Sequence, residues 1–170
     1  MTSISTGALT RLALILLWVV ALCALDLTVK YLVVAHLMTP PTVITITPFF
    51  NLVLAYNSGV SFGMFSDTMA SAPRLFAVLQ GVIVVGLVIW AAMAKTMVEA
   101  LSIAGIAGGA SGNVVDRFVN LSVTDYLDFH AFGWSWPAFN LADVMIVCGA
   151  FLLVALSMGK EEKRNASAKG

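Results

Sequence analysis

A chain of 170 residues that is 60% hydrophobic and 11% charged does not have the balance of a soluble domain, in which about a quarter of residues are charged. Nine basic residues offset nine acidic ones, so no positive field points to nucleic acid. Cys23 and Cys148 read as free buried thiols without CxxC spacing, and His36 and His130 stand outside any HExxH pattern, so neither a metal nor another cofactor is expected.

The composition describes a single membrane-embedded domain over residues 1–170. Arg11 precedes LALILLWVVALCAL, which has the charge and hydropathy of a signal peptide. The apolar pattern runs on to Val34, so a transmembrane helix is expected over about residues 11–35, ample for a hydrocarbon core of about 30 Å. Asp26 and Lys30 are four residues apart on one face near its far end. They read as a supporting ion pair that lets the helix leave the bilayer, with a substrate-facing role as the alternative.

Pro40-Pro41 ends that helix. Threonines alternate in TVITIT, and the following residues are apolar and aromatic, so a small sheet is expected over about residues 42–65. Turns are expected at Pro48 and at Asn57-Ser58-Gly59. A sheet this apolar should rest on the membrane surface, either binding a lipid-linked or extended peptide or plugging the helices.

A second span is expected over residues 73–94, with Arg74 at its edge and Gln80 as its polar interruption. The third, about 98–117, carries Gly105, Gly108, Gly109 and Gly112 at two small-xxx-small spacings suited to close packing. A loop should then reach Pro137, with Trp134 and Trp136 at the interface. The fourth span, about 139–158, would place Asp143 roughly one turn inside, before a polar, disordered tail over 159–170. Four spans put both termini on one side with Arg11, Lys95, Lys160, Lys163, Arg164 and Lys169, leaving Lys30, Arg74 and Arg117 toward the other. That bias predicts cytoplasmic termini and an outward-facing carboxylate cluster.

The chemistry concentrates between Gly108 and Asp143, where Asp116, Asp125, Asp128 and Asp143 lie between long apolar runs. Carboxylates beside hydrocarbon need a partner, water or a proton. Two that share one proton can split a peptide bond, the ionised one taking a proton from water and the protonated one polarising the carbonyl. Asp143 near a helix start and Asp125 on the facing loop could meet in this way, although Asp128 could replace Asp125. Asp116-Arg117 suits anchoring a loop or ligand, and Asn113 and Asn140 suit holding carboxylates or a carbonyl. A proton or ion pathway fits such a cluster almost as well, and a lipid-binding protein without catalysis is a third reading. The lack of polar residues along the second span speaks against a transporter.

Five motifs in order narrow this. They are Asp26-Leu27-Thr28-Val29-Lys30, Ala55 to Phe62 around Asn57-Ser58-Gly59, Gly108 to Asp116-Arg117, Val123-Thr124-Asp125-Tyr126, and Phe139-Asn140-Leu141-Ala142-Asp143. In this set and over nearly its whole length the chain resembles the lipoprotein signal peptidases, signal peptidase II, bacterial inner-membrane aspartyl proteases. The resemblance implies four transmembrane helices with an extracytoplasmic β-cradle between the first two. It implies Asp125 and Asp143 as the catalytic dyad, not Asp128. Asn57, Gly59, Asn113, Asp116, Arg117 and Asn140 would bind substrate or orient the dyad, with Asp26 and Lys30 in support. The implied reaction removes the signal peptide from diacylglyceryl-prolipoprotein just before the lipidated cysteine. The expected partners are that substrate, membrane lipid and cyclic peptide inhibitors such as globomycin, with the enzyme acting as a monomer. Leu27, Val29 and Ser61 depart from the family's usual Gln, Ser or Thr, and Ala. These departures bear on substrate preference and inhibitor sensitivity.

Overall fold

A computed structural model describes residues 6–59 and 72–167. Residues 60–65 of the expected sheet, Ser61 among them, lie outside the described residues. Helix α1 spans Thr6–Leu32 and continues into a π-helical turn, Val33–Leu37. Strands β1 (Ile44–Thr47) and β2 (Phe50–Asn57) follow, then α2 (Pro73–Met93) and α3 (Met97–Asn120). Strands β3 (Val123–Ala131) and β4 (Trp134–Ser135) precede α4 (Leu141–Ser167). Among the described residues, four helices are long and apolar enough to cross a membrane.

Helix α3 is the centre of the bundle and packs on α1, α2 and α4. Half of its spanning window is buried, against 11–17% for the others. Lipid tails are as apolar as leucine, so association here depends on close packing of small residues. Ala100, Ala104 and Ala107 of α3 are fully buried with Ile15 and Ala91. A Cβ added at Gly109 would lie 2.5 Å from the Ala142 carbonyl, and one at Gly112 would lie 2.3 Å from Asp26 Oδ2. A Cβ added at Gly105 would meet nothing within 4 Å, so the expected Gly105-xxx-Gly109 pair contributes only its second member, while one added at Gly149 of α4 would lie 2.8 Å from the Ser102 carbonyl. Gly112→Ala is therefore expected to lower the unfolding temperature in detergent by overpacking, an effect of about 1–3 kcal/mol. Gly105→Ala should leave it nearly unchanged, and equal effects from the two would refute this packing.

The sheet has the antiparallel order β1-β2-β3-β4. The expected turn at Pro48 joins β1 to β2. The expected loop between the last two helices is in fact β3 and a hairpin, so half of the cradle comes from there and not from between helices 1 and 2. The sequence VTDYLDFHA alternates, but its aspartates and histidine obscure the apolar period on which a strand is recognised. Phe132 (φ 53°) and Gly133 (φ 80°) make the left-handed turn of a tight hairpin. The tip exposes Phe132, Trp134 and Trp136, in keeping with interfacial aromatics.

Other differences are local. Helix α4 continues to Ser167 where a disordered tail was expected, because KEEKRNAS is rich in strong helix formers. Cys148 is exposed on α4 and Cys23 only half-buried, so neither is a sealed thiol. The Asp26–Lys30 pair forms at 2.8 Å, but inside the protein and not on an exposed helix face, with Lys30 reaching Asn113 and Asp116 of α3.

Candidate active site

Strand β3 and the start of α4 bring Asp125 and Asp143 to one cleft, lined also by Asn57, Gly59, Gln80, Asn113 and Arg117. Asn140 organises it. As the residue before α4, it accepts from the Asp143 amide through Oδ1 at 3.1 Å, while Asp143 Oδ2 accepts from the Asn140 amide at 3.0 Å. This reciprocal cap fixes Asp143 in the first turn of the helix, closer to its end than expected. Asn140 Nδ2 also donates to Asp125 Oδ1 at 2.7 Å, so one buried side chain locks both carboxylates.

The remaining oxygens are held similarly. Asn57 Nδ2 donates to Asp125 Oδ2 at 3.2 Å, and Asn113 Nδ2 donates to Asp143 Oδ1 at 3.1 Å. All of these donors are neutral amides. A directly bound cation would favour the ionised carboxylate and strip the proton that a shared-proton pair needs. Burial and the neighbouring Asp143 push Asp125 up to about 6, against opposing hydrogen bonds from Asn140 and Asn57 and the charge of Lys30.

The positive charge stands one residue back. Lys30 Nζ donates to Asn113 Oδ1 at 2.7 Å and lies 3.4 Å from Asp116 Oδ2. Lysine is only a donor, so it fixes which end of the Asn113 amide faces it and turns Nδ2 to Asp143. Asp26 Oδ1 accepts from the Ala142 amide at 2.9 Å, tying α1 to the start of α4. Asp116 accepts from the Thr124 amide at 2.8 Å and from Asn120 Nδ2 at 2.8 Å, so it fixes the strand just before Asp125 and does not touch the dyad. Arg117 is buried and donates to the Gly59 carbonyl at 2.9 Å and to Gln80 Oε1 at 2.6 Å.

Asp128 lies elsewhere. It is opposite Asn51, which donates to it at 3.0 Å, and is 3.5 Å from His130 Nδ1. Three residues beyond Asp125 on a strand is the opposite face.

A family model described as signal peptidase (SPase) II matches residues 18–158. The chain belongs to the signal peptidase II family. It is 37% identical over 150 residues to the lipoprotein signal peptidase of Serratia marcescens, covering 88% of each chain. To that of Anaplasma phagocytophilum it is 39% identical over 123 residues, 72% of this chain and 78% of the other. To that of Francisella tularensis subsp. novicida it is 36% identical over 147 residues, 85% and 91% of the two chains. A solved bacterial membrane enzyme shares the fold with a TM-score of 0.73 at 23% identity, covering 89% of this chain and 91% of that one. A second gives 0.68 at 24% identity, covering 85% and 92%.

Within this signal peptidase II fold, two residues join the site that were not singled out for it. Tyr126, buried on β3 next to Asp125 in sequence, accepts from the Leu141 amide at 3.1 Å and so satisfies one amide of the first turn of α4. Burial, with smaller charge effects, pushes its hydroxyl up to about 12, so it remains a phenol. Gln80 is the other, marked in the sequence only as a polar residue in an apolar helix.

Proposed function

We propose that this peptidase removes the signal peptide from diacylglyceryl-prolipoprotein before the lipidated cysteine, using Asp125 and Asp143 as an aspartyl dyad. The observation that carries this reading is the pair of carboxylates in one cleft, all four oxygens held by neutral amides. Asp125 is the group most suited to keep the shared proton and polarise the scissile carbonyl. Asp143 would take a proton from the attacking water. Asn57, Asn113 and Asn140 orient the pair, and Asp26, Lys30 and Asp116 brace the elements that carry them.

An apolar cleft of about 540 Å³ adjoins the dyad, lined by Trp136, Pro137, Phe139, Val144, Val147 and Cys148. It shares Asp143 and Ile146 with the polar cleft, which supports a substrate whose lipid and scissile bond lie side by side. Purified protein mixed with lipidated prolipoprotein should shorten it by the signal peptide on a gel. An unchanged substrate would refute the function.

The dyad faces the periplasm in this reading, with both termini in the cytoplasm. Arg11 donates to the Ala94 and Thr96 carbonyls, so the start of α1 and the α2–α3 turn share one end of the bundle. Lys30 and Arg117 are buried and do not count as surface charges of the opposite end, which sharpens the asymmetry. A periplasm-active reporter fused after Gly170 should therefore be silent, and a bright signal would reverse the orientation.

A further inference from the structure

We infer that Gln80 is a substrate-positioning residue whose side-chain amide donates to a backbone carbonyl of the peptide in the cleft; this rests on the peptidase reading above. Gln80 and the indole of Trp90 are the hydrogen-bonding side chains in the stretch from Leu75 to Ala94, and Gln80 alone of the two lies within the span and not near its end. Polar side chains within a membrane span are costly unless they face the protein interior or a polar cavity. Gln80 faces such a cavity, the cleft that holds Asp125 and Asp143.

Its orientation is decided by its neighbour. Arg117 Nη1 lies 2.6 Å from the amide oxygen. Arginine has donors and no acceptor, so the atom facing it must be oxygen, and the usual ambiguity of an amide disappears. Nε2 with its two hydrogens is thereby turned away from Arg117. Among the described residues none accepts from Nε2, and it is not among the buried atoms left without a partner. Arg117 cannot swing to release it, because Nη2 is held by the Gly59 carbonyl at 2.9 Å.

Each dyad oxygen already accepts one hydrogen bond. The dyad oxygens take Asn57, Asn113 and Asn140. A peptide in the cleft brings an acceptor to Nε2. An extended peptide presents backbone carbonyls at a two-residue repeat whatever its side chains. A donor on α2 facing the dyad would select the register in which the scissile bond meets Asp125 and Asp143. A residue serving only to anchor Arg117 would need the oxygen and not the NH₂ group.

Gln80→Glu separates these roles, because glutamate keeps an acceptor for Arg117 and loses the donor. Gln80→Met removes both. Each full-length variant would be purified in detergent beside wild type and assayed on lipidated prolipoprotein at its own optimal pH. The expected result is a KM raised about tenfold in both variants, with kcat within about threefold and the unfolding temperature of Gln80→Glu unchanged. If Gln80→Glu keeps the wild-type KM, or if its loss falls on kcat alone, the inference is overturned whether or not Gln80→Met folds. Wild type that leaves the substrate uncut would overturn the peptidase reading and this inference with it. Wild type that cuts, beside a Gln80→Glu variant of unchanged KM, overturns the inference alone.

Discussion

Asp125→Asn and Asp143→Asn are each expected to lower the cleavage rate by about 10²–10⁴-fold, the usual worth of a positioned general acid or base. Asparagine preserves the shape of either side chain and can still hydrogen-bond to Asn140, so the fold should survive. It can neither hold the shared proton nor accept one from water. Asp128→Asn should retain most activity, since that side chain faces Asn51 and His130. An inactive Asp128→Asn beside an active Asp125→Asn would overturn the assignment. The same dyad predicts a pH dependence. With Asp125 raised to about 6, its proton is present below that pH and lost above it. Lowering the pH from 8 toward 6 should therefore raise kcat/KM, approaching tenfold per unit at the alkaline end and levelling off near the raised value. A flat profile across that interval would remove Asp125 as the proton holder.

Unlipidated prolipoprotein is expected to be cut at least about 10²-fold more slowly than the lipidated form. The estimate follows from the apolar cleft. An acyl chain seated there comes from hydrocarbon and not from water, so its worth is in tethering the peptide beside the dyad, an effective-concentration gain on the order of 10²-fold. The cleft's volume of about 540 Å³ gives such a chain room. Because the cleft shares Asp143 and Ile146 with the polar cleft, an acyl chain seated in it can hold the peptide bond against the dyad. Val147→Trp, at an exposed lining position, should fill the cleft and erase much of the preference. Unlipidated cleavage should change little in that variant. Equal rates for the two substrates in wild type would leave an aspartyl peptidase that reads peptide and not lipid.

The sequence by itself determined the membrane class, the four spans and the motifs that mark the family. Those features are local: an apolar run long enough for a bilayer, a proline that ends a helix, a fixed spacing between an asparagine and an aspartate. The Asn140–Asp143 cap is of this kind, because residues three apart at a helix start meet whatever surrounds them. What needed the tertiary structure was every contact between distant segments. Asp26 and Lys30 read as a simple helix pair, yet Lys30 turns the Asn113 amide toward Asp143 from 83 residues away. Strand β3 was read as a loop because its polar residues face a cleft and the neighbouring strand, and hydropathy registers polarity without its partners. The choice between Asp125 and Asp128 is a matter of strand face, set by pairing with Ala55 and Asn51 on β2. Gln80 was legible only as an anomaly in an apolar helix. Its meaning comes from Arg117, brought to it by the packing of α2 on α3, and from the donor-only chemistry of a guanidinium that fixes where its amide points.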